Sequence, residues 1–243
     1  MTQLTSTSDI KQLGTILGVW AHPDDECWLS AGIMAAAVKN GQKVACISAT
    51  RGEEGSQDAQ KWPPHRLAEI RTAELEECLR IIGVSNHSWL DYPDGKCDEV
   101  DFDEAVSRVT EIAKRVKPDT ILTFEPMGIT GHEDHKAVSK WCKAAIERLP
   151  GSSAGLYYAY DSDEFYNRFG KEADEKFNVY FNIDRPITPQ IADFDIVYRP
   201  AGEILELKYQ AMLAQPSQME AIMASMGEQQ FREIIGLETF KRA

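Results

Sequence analysis

WAHPDDECW, residues 20–28, sets one histidine, one proline and three carboxylates between an apolar run, TILGVW (15–20), and an apolar helical pattern. By itself the stretch is explained by a helix start. Pro23 suits a first helical turn, where its missing N–H leaves no group unpaired, and carboxylates there are favoured by the helix dipole. The surroundings decide its meaning. TILGVW has the continuous apolar character of a buried strand, which makes HPDDE a strand-to-helix turn.

The same alternation continues outward from it. The segment 26–39 places Leu29, Ile33, Ala36 and Ala37 at helical spacing and ends at Asn40-Gly41, a C-cap signal. KVACISAT (43–50) reads as a second strand, 65–82 as a long helix closed by Gly83, and HSWLDY (87–92) as a third strand. A helix over 102–116 is broken by Lys117-Pro118, DTILTF (119–124) is a fourth strand, and 132–148 another helix. Alternating β and α elements of this length predict an α/β fold, a Rossmann-like mostly parallel sheet with helices on both faces. After Gly151 the pattern changes to LYYAYD (156–161) and FNVYFNI (177–183), then helices near 202–214 and 217–226. With no repeat or low-complexity linker, one domain over 1–243 is expected. In it 1–13 forms a flexible N-terminal segment, and 151–243 completes the sheet and caps the site.

Composition narrows the partners. A net charge of −13 offers no basic face for nucleic acid or an anionic membrane surface. The longest apolar run, AGIMAAAV (31–38), is too short to span a bilayer. The N-terminus, MTQLTSTSDIKQLG, lacks the basic and apolar regions of a signal peptide. Five cysteines without C-x-x-C spacing read as reduced thiols, so a cytoplasmic protein is expected.

The loops carry the chemistry. Turns entering strands two to four are plain: KNGQK, GVSN and VKPD. Those leaving the strands are AHPDDE, TRGEEG, DYPDGK and EPMGITGHEDH. In an open parallel sheet these exits share one edge, where α/β proteins place their ligand crevices. A hydrolytic zinc site needs about three His or carboxylate ligands and a position open to water. His22 and Asp25 lie three residues apart at a turn, and His132 and His135 three apart at a helix start. That gives four ligand candidates, with Asp24 beside them for proton transfer. Two histidines and a carboxylate also suit non-haem iron, so Fe2+ and an oxygenase stay open. His65 and His87, away from such a set, read as surface or core residues. A Rossmann-type cofactor binder is disfavoured, because AHPDDE replaces the G-x-G-x-x-G turn. A non-catalytic sugar binder would have no use for Asp24.

AHPDDE after the first strand and GHEDHKAV (131–138) opening a later helix resemble the LmbE-like (PIG-L) family of zinc-dependent deacetylases acting on N-acetylglucosamine conjugates. TRGEEG, IRTAELEECLRIIGV (70–84), DYPDG and KPDTILTFEP follow in the family's order, so the resemblance spans about 14–145. It implies Zn2+ held by His22, Asp25 and His135, with Asp24 as the general base towards water. It further implies His132 as electrophile or acid, oriented by Asp134. Arg51, Glu53, Glu54, Arg71 and Asp94 become candidates for binding an acetamido-sugar substrate. An amidase cleaving a thiol-sugar conjugate would use the same site, and the resemblance also leaves room for a homo-oligomer. KYQAMLAQPSQ (208–218) is similar to the family's C-terminal stretch, but many members carry histidine where Gln215 stands. The polar rim of TRGEEG, Arg71 and DYPDG suits a hydroxyl-rich ligand better than a long acyl chain. Trp62, Tyr160, Phe165 and Tyr166 could wall a sugar pocket, although core packing is the expectation.

Overall fold

β1 (Ile16–Trp20) is buried along its whole length, as its unbroken apolar run requires of a central parallel strand. The computed structural model describes residue 4, residues 6–149, residue 151 and residues 153–243. β1 leads into α1 (Asp25–Lys39), followed by β2 (Val44–Ser48), α2 (Pro64–Ile82), β3 (Asn86–Trp89), α3 (Phe102–Val116) and β4 (Thr120–Phe124). A short turn of helix, α4 (Gly128–Gly131), precedes α5 (Glu133–Glu147) and β5 (Gly155–Ala159). The remainder comprises α6 (Asp163–Phe165), α7 (Lys171–Phe177), β6 (Ile196–Tyr198), α8 (Gly202–Leu213), α9 (Pro216–Ile234) and β7 (Glu238–Arg242).

The seven strands form one sheet in the order β3-β2-β1-β4-β5-β7-β6. β3, β2, β1, β4 and β5 run parallel, and β7 pairs antiparallel with both β5 and β6. α1, α2, α8 and α9 pack together as one helical layer, and α3 and α5 form another against β1 and β4. This is the Rossmann-like α/β arrangement expected from the alternation. The strand order reverses between β1 and β4, so the crevice of an open parallel sheet falls at the exits of those two strands.

Local signals explain the helix boundaries. α1 ends at Asn40-Gly41, with Gly41 at φ +79°, and Gly83 closes α2 at φ +80°. The Asp101 carboxylate accepts from the Glu104 amide at the start of α3. α9 runs past the expected end near 226 but is broken at Gly227, where φ is +76°.

Other expectations need correction. FNVYFNI (177–183) forms no strand. Its Tyr180 is buried, with its amide on the Asp174 carboxylate and its hydroxyl on Asp161, so local side-chain bonds take the place of a ladder. The last two strands lie instead at β6 and β7, too short or too polar to stand out by periodicity. Within 1–13, Asp9–Leu13 is a 3-10 turn whose Ile10 and Leu13 are buried in the core. That part is therefore anchored, and residues 1–3 and 5 lie outside the described residues. No helix among the described residues is long and apolar enough to cross a membrane.

Candidate metal centre

The β1 exit begins with His22 and turns sharply at Asp24, which holds φ +126°. A non-glycine residue there is strained, and such strain persists only where the surroundings enforce it. Arg71, buried on α2, is one enforcer. Its guanidinium donates to the Pro23 carbonyl and to the Gly52 carbonyl at 2.8 Å, and lies 3.3 Å from the Asp24 carboxylate. A Cβ at Gly52, itself at φ +68°, would stand 2.2 Å from Arg71 Nη1. Thus TRGEEG needs a glycine so that the arginine can clamp both loops. On the other side of the turn the Asp24 amide donates to Glu26 at 3.0 Å.

His135 reaches the same point from the first turns of α5. Its Nε2 lies 3.2 Å from His22 Nδ1 and 3.4 Å from Asp25 Oδ1, while Asp25 Oδ2 is 3.6 Å from His22 Nδ1. The outer ring nitrogens are engaged elsewhere. His135 Nδ1 faces the Gly128 carbonyl at 3.0 Å, and His22 Nε2 faces Asp134 and Asp94, each at 3.1 Å. Those partners fix the ring protons on the outside, leaving two imidazole lone pairs and a carboxylate converging inside. Such a trio is held together by positive charge between its members. Four-coordinate zinc with bonds of 2.0–2.1 Å spaces neighbouring ligand atoms by about 3.4 Å, which the observed separations match. Carboxylate or carbonyl partners on the outer nitrogens are what metal-bound histidines ordinarily have. His22, Asp25 and His135 therefore fit the metal that the donor set implies.

The electrostatics agree. Burial disfavours a charged His22 ring, but Asp134, Asp94 and Asp25 outweigh it and raise His22 to about 10. The carboxylates thus call for positive charge at this point, as a proton or a metal ion. Burial lowers His135 well below the usual histidine value, and the His22 charge adds to that. Asp94 and Asp134 are buried, yet contact with His22 holds both below the usual carboxylate range. Burial lifts Asp24 to about 7 against the pull of Arg71, close to the value that suits a general base.

His132 caps α5 beside this trio. Its Nδ1 accepts from the Asp134 amide at 3.1 Å, so the neutral ring carries its proton on Nε2. Burial, with the His22 charge second, lowers its pKa and favours that neutral form. Its ligating atoms lie within 4.8 Å of those of His22 and His135. The Asp134 carboxylate is engaged elsewhere. It does not orient His132; its oxygens accept from the Cys97 and Gly95 amides and face His22. It is Asp134's backbone, not its side chain, that fixes the His132 ring.

The expected sugar contacts divide. Glu54, Arg71 and Asp94 line a cavity of about 490 Å³ shared with His22, Asp24, Asp25, His132 and His135. Arg51 does not line it. Its guanidinium lies 3.9 Å over the Trp89 ring and donates to Asp91 and Thr72, pulled away by an aromatic face and a carboxylate. Glu53 accepts from the Asp94 amide at 3.0 Å and also lies off the cavity wall. Asp94 bridges the Glu54 amide and His22, so it supports the histidine as well as facing the cavity. Gln215 is buried away from the cavity, donating to Glu26 at 2.8 Å.

Tyr160 and Phe165 do line the cavity, whereas Trp62 and Tyr166 do not. Sequence reasoning missed Trp28, Phe169, Phe177, Tyr180 and Met226, which the cavity also shows. Trp28 could have been found, since it stands one helical turn after Asp24; the others lie in segments whose spacing points nowhere.

The chain from residue 17 to 146 matches the family model described as PIG-L, GlcNAc-PI de-N-acetylase. It is similar to the 1D-myo-inositol 2-acetamido-2-deoxy-alpha-D-glucopyranoside deacetylase of Kineococcus radiotolerans, 34% identical over 63% of this chain and 50% of that protein. The enzyme of the same name from Saccharomonospora viridis is 29% identical over 84% of this chain and 85% of its own. The match thus spans about half the length of the first relative and most of the second. Among solved structures, N,N'-diacetylchitobiose deacetylase from Pyrococcus horikoshii shares the fold, with a TM-score of 0.67 at 22% identity over 96% of this chain and 85% of its own. With the family model covering more than half of its residues, the chain belongs to the PIG-L (LmbE-like) family.

Proposed function

We propose that the protein is a zinc-dependent hydrolase that removes the N-acetyl group from an N-acetylglucosamine-type conjugate. The observation that carries this reading is the convergence of His22 Nδ1, His135 Nε2 and the Asp25 carboxylate within 3.2–3.6 Å of one another, with Asp24 alongside. Family membership and the names of the relatives point to the same chemistry. When bound, zinc acidifies water and polarises an amide carbonyl.

The chain's own residues supply the rest. Asp24, held by the strained turn and Arg71, takes a proton from the attacking water. His132, neutral with Nε2–H free, donates a hydrogen bond to the amide oxygen as charge builds there. Protonating the departing amine from that ring would need an anionic imidazole, so Asp24 returns its proton to the amine instead. Glu54 and Asp94, on the exits of β2 and β3, read sugar hydroxyls in this proposal. The five buried thiols and the net charge of −13 support a cytoplasmic enzyme with a small-molecule substrate.

Metal analysis combined with acetate release tests the reading. Asp24→Asn keeps the shape but cannot take a proton, so metal content should persist while kcat falls about 10²-fold or more. Asp25→Asn should lose metal. Exchange of the two outcomes, or full metal occupancy in His22→Ala and His135→Ala, would overturn the assignment.

A further inference from the structure

The polar and apolar walls of the cavity lie on opposite sides of the metal centre. Glu54, Gly55, Gln57 and Asp94 come from the exits of β2 and β3, on one flank of β1 and β4. The other flank is built after β5, and it presents Phe165, Phe169, Phe177 and Tyr180; α9 lines the cavity with Ile222 and Met226 from the polar side, where its Gln218 donates to the Gly55 carbonyl. Asp161, Ser162, Glu238 and Thr239 on the apolar flank already have partners. Asp161 is bonded to the Tyr180 hydroxyl at 2.6 Å, Ser162 Oγ accepts from the Phe165 amide, and Thr239 Oγ1 donates to the Tyr160 carbonyl. Glu238 is held by Lys208 and by the amides of Gly32 and Ile33. None of them calls for a polar ligand, so the flank selects apolar matter.

A secondary amide is trans, with its two substituents on opposite sides of the C–N bond. With the carbonyl carbon at the metal centre and the sugar on the polar loops, the acyl chain is directed to the aromatic flank. We infer that this flank is an acyl chamber, and that the enzyme hydrolyses N-acyl amino sugars whose acyl group is a medium-length alkyl or aryl chain, in preference to acetyl. This rests on the proposed hydrolytic reading and alters its substrate class. It also reverses the sequence-based expectation that a long acyl chain would be turned over poorly. The reaction is unchanged: water adds across the amide, the C–N bond breaks, and a carboxylate and a free amino sugar leave. An acetyl methyl would occupy a small part of a 490 Å³ cavity, and each further buried methylene can raise kcat/KM by up to about fourfold.

The test is an acyl series on glucosamine (acetyl, butanoyl, hexanoyl, octanoyl, benzoyl) with the zinc-loaded enzyme, beside the octyl glycoside of N-acetylglucosamine. From acetyl to hexanoyl kcat/KM should rise at least about tenfold, and metal-free protein should bind octanoyl-glucosamine more tightly than the acetyl compound by calorimetry. Ala173→Trp, which fills the flank, should lower the octanoyl-to-acetyl ratio about tenfold, with folding checked by thermal melt. Phe177→Asp is the second variant and should act in the same direction. Acetate release with a falling chain-length profile overturns this inference and leaves the proposed function standing. A gain confined to the octyl glycoside also overturns it, since the flank would then hold the aglycone. Silence across every acyl length in a metal-loaded enzyme overturns the hydrolase reading and this one together.

Discussion

Asp134 shows how a single side chain can serve a site without touching substrate. It is fully buried, accepts from the Cys97 and Gly95 amides at 2.9 and 2.8 Å, and faces His22 Nε2 at 3.1 Å. Removing such an outer partner of a metal-bound histidine typically weakens metal affinity about 10–100-fold. Asp134→Ala is therefore expected to lower zinc affinity by that factor in a competition titration. His132→Ala should leave it unchanged while lowering kcat. Equal metal affinity in Asp134→Ala and the parent would mean that Asp94 alone orients His22. The spacing H-x-D-H (132–135) was legible, but it could not tell which atoms of Asp134 would be used. That depends on the DYPDG loop arriving from β3, which offers two amides to the carboxylate.

At the scale of elements, β3 is the edge of the sheet, and its His87 sits between Ser48 Oγ, at 3.1 Å, and the Trp89 ring. Burial, then the Arg51 charge, lowers its pKa to about 4 from the usual histidine value of 6.5. Folding thus favours the neutral ring. That stability is complete above pH 6.5 and is lost as the pH falls through about 4, because the unfolded chain binds the proton more tightly. His87→Gln, which cannot titrate, should flatten the stability-versus-pH curve over that window in urea melts. An unchanged difference between the two proteins from pH 7 to pH 4 would rule this out. The expectation that His87 is a satisfied packing residue follows from its distance from any ligand partner. Its contact with Ser48 needed the pairing of β2 with β3.

The whole molecule is tied together by a buried ion pair. Lys208 on α8 and Glu238 on β7 lie 2.6 Å apart, both fully buried at the side chain. Glu238 also accepts from the Gly32 and Ile33 amides of α1, and Lys208 donates to the Trp28 carbonyl. An α-helix pairs the Trp28 carbonyl with the Gly32 amide, and side chains from the far end of the chain add bonds to both of these groups of α1. Removing one partner of a buried pair costs about 3–5 kcal/mol. At about 2–4 °C per kcal/mol for a chain of this size, Lys208→Met should lower Tm by about 6–20 °C. Adding Glu238→Gln should recover part of the loss by removing the uncompensated charge. A Tm within 2 °C of the parent in the single variant would show that water or another group reaches Glu238.

By itself the sequence determined the first five strands, their parallel alternation with helices, and the loops that share one sheet edge. These are local properties, since a buried parallel strand must be continuously apolar and a helix must be periodic and capped. It also offered His22, Asp25, His132 and His135 as ligand candidates with Asp24 beside them, because ligand spacing within a turn is a short-range constraint; resemblance to the family narrowed them to three. Tertiary structure alone decided the rest. Arg51 turned to Trp89 and Arg71 became a clamp between two loops, since a long cationic side chain goes to whichever carbonyls and aromatic faces the fold brings near it. The aromatic flank comes from residues within 160–181 that share no period. Only the packing of the last hundred residues over the β4 and β5 exits turns them into one wall.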